Sequence, residues 1–385
     1  MKKRKKLMHK LPQKINFLVF FGLLVFLPIA TVVSPKLTFS ETENRVLASM
    51  PKLTFDNVVE RKYMNGVESY FADHFAGRDG WISAKTGMEL ALGKKESNGV
   101  YILDDMLIQK IEGYDPATPE RSITAINNFA EDNPDIKTFV MIVPTSAEIY
   151  KEKLPENAPN VEQKETIEEF YSAMSGKITT LDAYSALNAE KDGYIYYRND
   201  HHWTTAGAYC AYSATIKKMG HTAVPMSEFN IEHASSDFKG TLYSKAVYDG
   251  VDADVLDIYY CNSGNPVDSV TVQTGLSEDV YDDLYFRDYL EVKDKYSVFC
   301  GSNQPIVTIK TNNENSGKLL VIKDSYANCY VPFLAQHYSE ITMLDMRYID
   351  TKYENIVNID EYDQALFLYN FATFIEDENI KKLDF

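Results

Sequence analysis

The run "INFLVFFGLLVFLPIATVV", Ile15 to Val33, carries no charge across nineteen residues. That is close to the roughly 20 residues a helix needs to cross a bilayer. The fourteen residues before it, "MKKRKKLMHKLPQK", hold seven Lys or Arg and no acid. Basic residues ahead of an apolar span stay cytoplasmic, which sends the rest of the chain outside. A cleavable signal peptide is the alternative, but its apolar region runs only about 7–15 residues and ends at a small-x-small site. Here the run is longer, no clean Ala-x-Ala follows, and no Cys sits just beyond it as in a lipoprotein. The expected layout is a cytoplasmic tip at 1–14, a transmembrane anchor at 15–33, an irregular stem at 34–60 and an extracellular domain at 61–385.

The body is acidic. The basic tip takes seven of the 39 Lys and Arg, leaving 32 against 56 Asp and Glu. This balance argues against nucleic acid as a partner, since phosphate backbones are held by clustered positive charge. Hydrophobic residues at 45% and aromatics at 13% exclude a mostly disordered chain. Four widely spaced cysteines, Cys210, Cys261, Cys300 and Cys329, show no metal-type pairing. Outside the cytoplasm they can form one or two disulfides or stay as buried thiols, and the sequence leaves both open.

After the stem, the pattern is helical to about Gly93, and "GVYILDDMLI" alternates like a hairpin. The helix "PERSITAINNFAEDN" leads to the apolar run "IKTFVMIVPTS", and a continuous apolar run after a helix suits a parallel strand covered on both faces. The same grammar recurs in "ETIEEFYSAMSGK" with "ITTLDAY", in "KLLVIKDS", "YANCYVPFLAQHY" and "EITMLDM", and in "DQALFLYN". Strands alternating with helices predict an α/β fold with a mostly parallel sheet and helices on both sides. Residues 221–316, rich in turns and Tyr- and Val-bearing segments, predict a β-rich insertion roofing the sheet edge.

Ser325 in "LLVIKDSYANCYVPFLAQHY" falls at the carboxyl end of a predicted strand, just ahead of a predicted helix. Open α/β sheets build their sites there, and N–H groups at a helix start can hold an oxyanion. The competing role for this Asp-Ser pair is a helix cap. A nucleophilic serine needs a base, and the base an orienting group. "RNDHHWTTAGAY" supplies both in Asp200 and His202, because side chains two residues apart on an extended strand share a face. Thr204 is a fitting N-cap for the helix that follows, which ends near Gly220. Asp200, His201 and His202 as a metal site is the weaker reading, since adjacent histidines diverge and no further His or Cys lies at ligand spacing. No metal or cofactor is expected. His201 reads as a supporting residue, and Trp203 as packing that shields the pair.

The DHHWT run, with "SETENRVLASMP", "YFADHFAGRDGW" and "IKDSYANCYVPFLAQHYSEITMLDMRY", resembles the DHHW family of bacterial extracytoplasmic proteins. That family is similar to the SGNH-hydrolase-like O-acetyltransferases that acetylate alginate and related exopolysaccharides. The resemblance covers nearly the whole chain after the stem. It implies a three-layer α/β/α sandwich, with Ser325 as nucleophile, His202 as base and Asp200 as its orienter. Arg347 matches a further motif position for contact with substrate or intermediate. No Gly and Asn pair for an oxyanion hole can be placed; Gly301 and the backbone N–H groups of Ser325 and Tyr326 are the candidates. The resemblance also implies a membrane-bound O-acyltransferase as donor partner and a polysaccharide acceptor. The expected function is polysaccharide O-acetylation through an acetyl-serine. An acetyl esterase with the same triad and a non-catalytic polysaccharide-binding or assembly protein are the alternatives.

Overall fold

The computed structural model describes residues 2–40, 42–264, 266–275, 277–314 and 316–384, with side chains from residue 14 onward. Met1 and the side chains of residues 2–13, which make up most of the expected basic tip, lie outside the described residues. The chain divides into two compact units, residues 1–93 and 94–385.

The first unit begins with helix α1 (Lys2–Val33), whose stretch Lys14–Val33 is long and apolar enough to cross a membrane. Strands β1 (Phe39–Ser40) and β2 (Arg45–Val46) then pair antiparallel. Helices α2 (Phe55–Val59), α3 (Lys62–Asp73) and α4 (Arg78–Ala91) follow. Arg45 and Asp73 tie the β1–β2 pair to α3: the guanidinium donates to both carboxylate oxygens, at 2.5 and 3.0 Å, and the Ala48 N–H adds a third bond at 2.8 Å. The hydrogen bond from Arg45 outweighs burial and lowers the Asp73 pKa to about 2.

The second unit opens with a meander of β3 (Glu96–Ser97), β4 (Val100–Ile102) and β5 (Leu107–Gln109). In chain order come α5 (Ala117–Asp132), β6 (Lys137–Val143), α6 (Ser146–Ile149), α7 (Gln163–Ser172), β7 (Ile178–Thr180), α8 (Ala183–Ala189) and α9 (Thr205–Thr215). The next segment holds β8 (Phe229–Phe238), α10 (Thr241–Ala246), β9 (Asp254–Cys261), β10 (Val267–Thr274), β11 (Ser277–Tyr281) and β12 (Ile306–Thr311). The chain closes with β13 (Lys318–Lys323), α11 (Val331–Leu334), β14 (Glu340–Leu344), β15 (Gln364–Asn370) and α12 (Phe371–Glu376).

Eight of these strands form one sheet in the order β11-β10-β12-β14-β13-β15-β6-β7. From β14 to β7 neighbours run parallel, and β12, β10 and β11 extend the edge antiparallel. Part of the β-rich segment 221–316 is therefore sheet, while β8 and β9 make a separate antiparallel ribbon. The mixed α/β class and the mostly parallel sheet follow the sequence pattern.

Period-two alternation in the central strands feeds two cores. Phe139, Met141, Leu319, Val321, Leu366 and Leu368 face one side, where Trp203 and the α9 residues Ala208, Ala211 and Tyr212 pack. Val140, Ile142, Leu320, Ile322 and Phe367 face the other, against Ile123, Ile126 and Phe129 of α5. A sheet apolar on both faces must be covered on both, which explains the continuous hydrophobic runs. The four cysteines are free thiols, Cys300 and Cys329 being buried.

Candidate active site

Ser325 stands immediately beyond β13, at the carboxyl ends of the parallel strands. The single helix expected after it is two short pieces: one 3-10 turn, Ser325–Ala327, and then α11. Pro332 sits in the first turn of α11, where its missing N–H costs nothing, but it cannot continue a helix begun at Ser325. Asp324 is the cap of that turn, accepting from the Tyr326 N–H at 2.8 Å with Oδ1. Its Oδ2 accepts from the backbone N–H of Asn370 at 2.7 Å and from its side-chain amide at 2.5 Å. Burial raises the Asp324 pKa and these donors oppose the rise. Because Asp324 takes the capping work, the Ser325 hydroxyl is left for other partners.

That partner is His202. Its Nε2 lies 2.7 Å from Ser325 Oγ, and its Nδ1 lies 2.5 Å from Asp200 Oδ1. Asp200 Oδ1 also accepts the His202 backbone N–H at 2.9 Å, so the extended loop folds one carboxylate onto both donors of the same residue. Oδ2 accepts the N–H and the hydroxyl of Thr241, at 2.7 and 2.9 Å. Burial would raise the Asp200 pKa, but the charges of His202 and His201 and these hydrogen bonds hold it far below the usual carboxylate range. An ionised Asp200 fixes the His202 tautomer with Nδ1 protonated, which aims the basic Nε2 at the serine.

The loop is pinned from several sides. Thr204 caps α9 by accepting the Gly207 N–H at 3.2 Å, and the 3-10 extension of that helix ends at Gly220, whose φ of +92° suits glycine. Trp203 is fully buried and donates Nε1–H to the Tyr326 carbonyl at 3.0 Å, tying the His202 loop to the Ser325 turn. Asp200, His201 and His202 bring one ligand-type atom each within 4.8 Å of one another. Yet Asp200 Oδ1 and both His202 nitrogens already serve the relay, and His201 Nδ1 lies 2.5 Å from Thr241 Oγ1.

Tyr326, Arg347 and Gly301, the residues expected to hold an oxyanion or substrate, have other partners or surroundings. The Tyr326 N–H, expected to face an oxyanion, is instead bound by Asp324, a consequence of the local Asp turn. Arg347 donates Nε and one terminal nitrogen to Asp345 at 2.8 and 2.6 Å, so most of its fork is engaged within the protein. Gly301, at φ +78°, sits where a Cβ would meet the Phe286 ring at 3.0 Å, and no hydrogen bond among the described residues joins it to the triad. Beside the nucleophile, the Ser325 N–H and the Asn328 amide nitrogen have no hydrogen-bond partner among the described residues. Asn328 lies one 3-10 turn on, with its Oδ1 turned toward buried Lys323 at 2.8 Å. The Ser-x-x-Asn spacing was the sequence signal for it.

Two further residues lay outside sequence reasoning. Thr241, at the start of α10, holds Asp200 from 41 positions away. Tyr296 stacks on His202 and donates its hydroxyl to the Ser325 carbonyl at 3.0 Å.

No curated protein sequence matches the chain. A DHHW family protein from Eubacterium siraeum has a similar structure, with a TM-score of 0.61 and 26% identity over 75% of this chain and 96% of that one. PatB1 of Bacillus cereus, in a structure with a sulfonyl adduct, matches with a TM-score of 0.63 and 19% identity over 74% of this chain and 98% of that one. The family model described as DHHW protein matches residues 90–344. With most of its length matched by that model, the chain belongs to the DHHW family.

Proposed function

We propose that this chain is a membrane-anchored extracytoplasmic O-acetyltransferase that moves acetyl groups onto a cell-surface or secreted polysaccharide through an acetyl-Ser325 intermediate. The observation that carries the reading is the unbroken relay from Asp200 through His202 to Ser325, at 2.5 and 2.7 Å. His202 takes the serine proton as Oγ bonds to the acetyl carbonyl carbon, and returns it to the leaving oxygen of the donor ester. In the second half-reaction a sugar hydroxyl loses its proton to His202, attacks the same carbonyl and releases Ser325. The Ser325 N–H and Asn328 amide are the donors available to the tetrahedral oxyanion.

In this reading the domain adopts the SGNH-like three-layer arrangement, residues 15–33 anchor it with the 1–14 tip cytoplasmic, and 34–60 act as the stem. The span Lys14–Val33 and the family resemblance support that topology. A membrane-bound O-acyltransferase partner would deliver the acetyl group to the outer face.

The test is intact mass spectrometry of the full chain in detergent after brief exposure to 4-nitrophenyl acetate, beside Ser325→Ala. One acetyl group located at Ser325 and missing in the variant is expected, together with labelling of the same serine by a sulfonyl fluoride. Supplying oligosaccharides then separates transfer from hydrolysis by the esterase alternative. Folded protein that takes neither label would leave the binding or assembly reading in its place.

A further inference from the structure

His201 is the member of the DHHW run that the relay leaves unused. Its ring lies 3.8 Å from that of His202, centroid to centroid, and its Nδ1 lies 2.5 Å from Thr241 Oγ1. The protons in this chain of contacts follow from valence. Ionised Asp200 has none to give, so the Thr241 hydroxyl donates to Asp200 Oδ2 and accepts from His201 Nδ1–H. A neutral imidazole carries one proton, which leaves His201 Nε2 as a bare acceptor with no partner among the described residues. Burial, reinforced by the charge of His202, lowers the His201 pKa to about 3, so the acceptor persists at neutral pH. About a quarter of the side chain, 27%, remains open to solvent.

His201 lines a cleft of about 250 Å³ with Gln109, Thr241, Lys245, Asn370 and Glu376. Gln109 ends β5, Lys245 lies on α10 and Glu376 ends α12, and their side chains have no partner among the described residues. The wall thus offers an amide, an ammonium, a carboxylate and an imidazole nitrogen, a set that reads hydroxyl groups.

We infer that the cleft receives the acceptor as a vicinal diol of a saccharide, with one hydroxyl reacting at His202 and its neighbour donating a hydrogen bond to His201 Nε2. The two imidazoles lie 3.8 Å apart, centroid to centroid, with their planes tilted by 38°, a separation on the scale of two hydroxyls on adjacent carbons. In the reaction the first hydroxyl gives its proton to His202 while its oxygen bonds to the acetyl carbonyl carbon. The bond to Ser325 Oγ then breaks, and Oγ takes that proton back. The second hydroxyl keeps its proton and only orients. The inference rests on the acetyl-Ser325 reading.

The test partitions acetylated full-length protein between water and two probes, trans-cyclohexane-1,2-diol and cyclohexanol, and measures ester formed against acetate released. The ratio is set after acylation, so slower acylation or partial misfolding leaves it in place. Wild type is expected to favour the diol about tenfold per hydroxyl, the worth of one neutral hydrogen bond. His201→Phe, which keeps a flat ring on His202 but has no acceptor, should bring the ratio near one, and His201→Gln should restore part of it. Equal ratios in wild type, or an undiminished preference in His201→Phe, would overturn the inference while acetyl-Ser325 stands. Absence of acetyl-Ser325 in wild type would overturn the underlying reading and the inference with it.

Discussion

The ring of Tyr296 lies flat on the imidazole of His202, with centroids 3.7 Å apart and planes within 8°. The same residue donates its hydroxyl to the Ser325 carbonyl, so one side chain braces both the base and the backbone of the nucleophile. When His202 takes the serine proton it becomes a cation against an electron-rich face, a contact worth about 0.5–2 kcal/mol. Tyr296→Leu should therefore slow acylation about tenfold. Tyr296→Phe keeps the face and should keep most of the rate. Stopped-flow acylation decides this, and an unchanged rate in the Leu variant would reduce the stack to packing.

Gly240, the residue ahead of α10, leaves room for Asp200 only because it lacks a side chain. A Cβ there would lie 2.2 Å from Asp200 Oδ2 and 2.4 Å from its Cβ, and both atoms belong to a short, fully buried side chain with no room to give. Gly240→Ala should thus push the carboxylate off His202 and lower acylation about a hundredfold, the cost of a displacement near 1 Å in a catalytic group. Circular dichroism and melting temperature, measured beside the rate, should show a fold that survives. A wild-type rate in the folded variant would mean that Asp200 tolerates the displacement.

What the sequence disclosed about this site was what lies within a few residues. Asp200 and His202 share a face through period-two geometry, Thr204 caps the next helix, and Ser325 follows a buried strand, so each was readable from spacing alone. Thr241, Gly240 and Tyr296 were not, because their contacts with Asp200 and His202 are set by how α10 and the 295–298 turn fold back onto the loop. The Tyr326 N–H is occupied for a local reason, Asp324 binding it across the turn, and Pro332 divides the helix expected to follow Ser325. Hairpins were visible in 221–316. That β10, β11 and β12 lengthen the main sheet was not, since pairing partners such as Ile309 and Ile341 carry no mark of each other.

Acid should weaken this fold through its buried histidines. Burial lowers the His337 pKa to about 4, and its Nε2 lies 2.6 Å from the Tyr212 hydroxyl, which donates to it when the ring is neutral. The unfolded chain titrates near 6.5, so between about pH 6.5 and 4 the unfolded state binds a proton that the folded state refuses. Stability therefore falls as pH drops through that window, and His201, lowered to about 3, adds to the loss in the same direction. Melting temperature should decline from pH 7 to pH 5. His337→Gln, which keeps an acceptor for Tyr212 but cannot titrate, should make the decline shallower; an identical slope would remove His337 from the account.

Asp324 is the other buried carboxylate that shapes the site, and it acts on the nucleophile's backbone. Three donors, the Tyr326 N–H and both nitrogens of Asn370, converge on its two oxygens with no solvent access. Asp324→Ala would strand the backbone N–H groups of Tyr326 and Asn370 in the interior, while the Asn370 amide keeps Thr373 Oγ1 at 2.7 Å; each buried donor left unpaired costs about 1–3 kcal/mol. A loss of about 3 kcal/mol by urea denaturation is expected. The freed Tyr326 N–H also lets the Ser325 turn open, so acylation should fall about a hundredfold even at temperatures where the variant stays folded. Asp324→Asn preserves shape but turns an amide N–H₂ toward at least one of those donors, and it should keep more stability than activity. Equal losses of both in the two variants would show that Asp324 supports the fold in general and not the placement of Ser325.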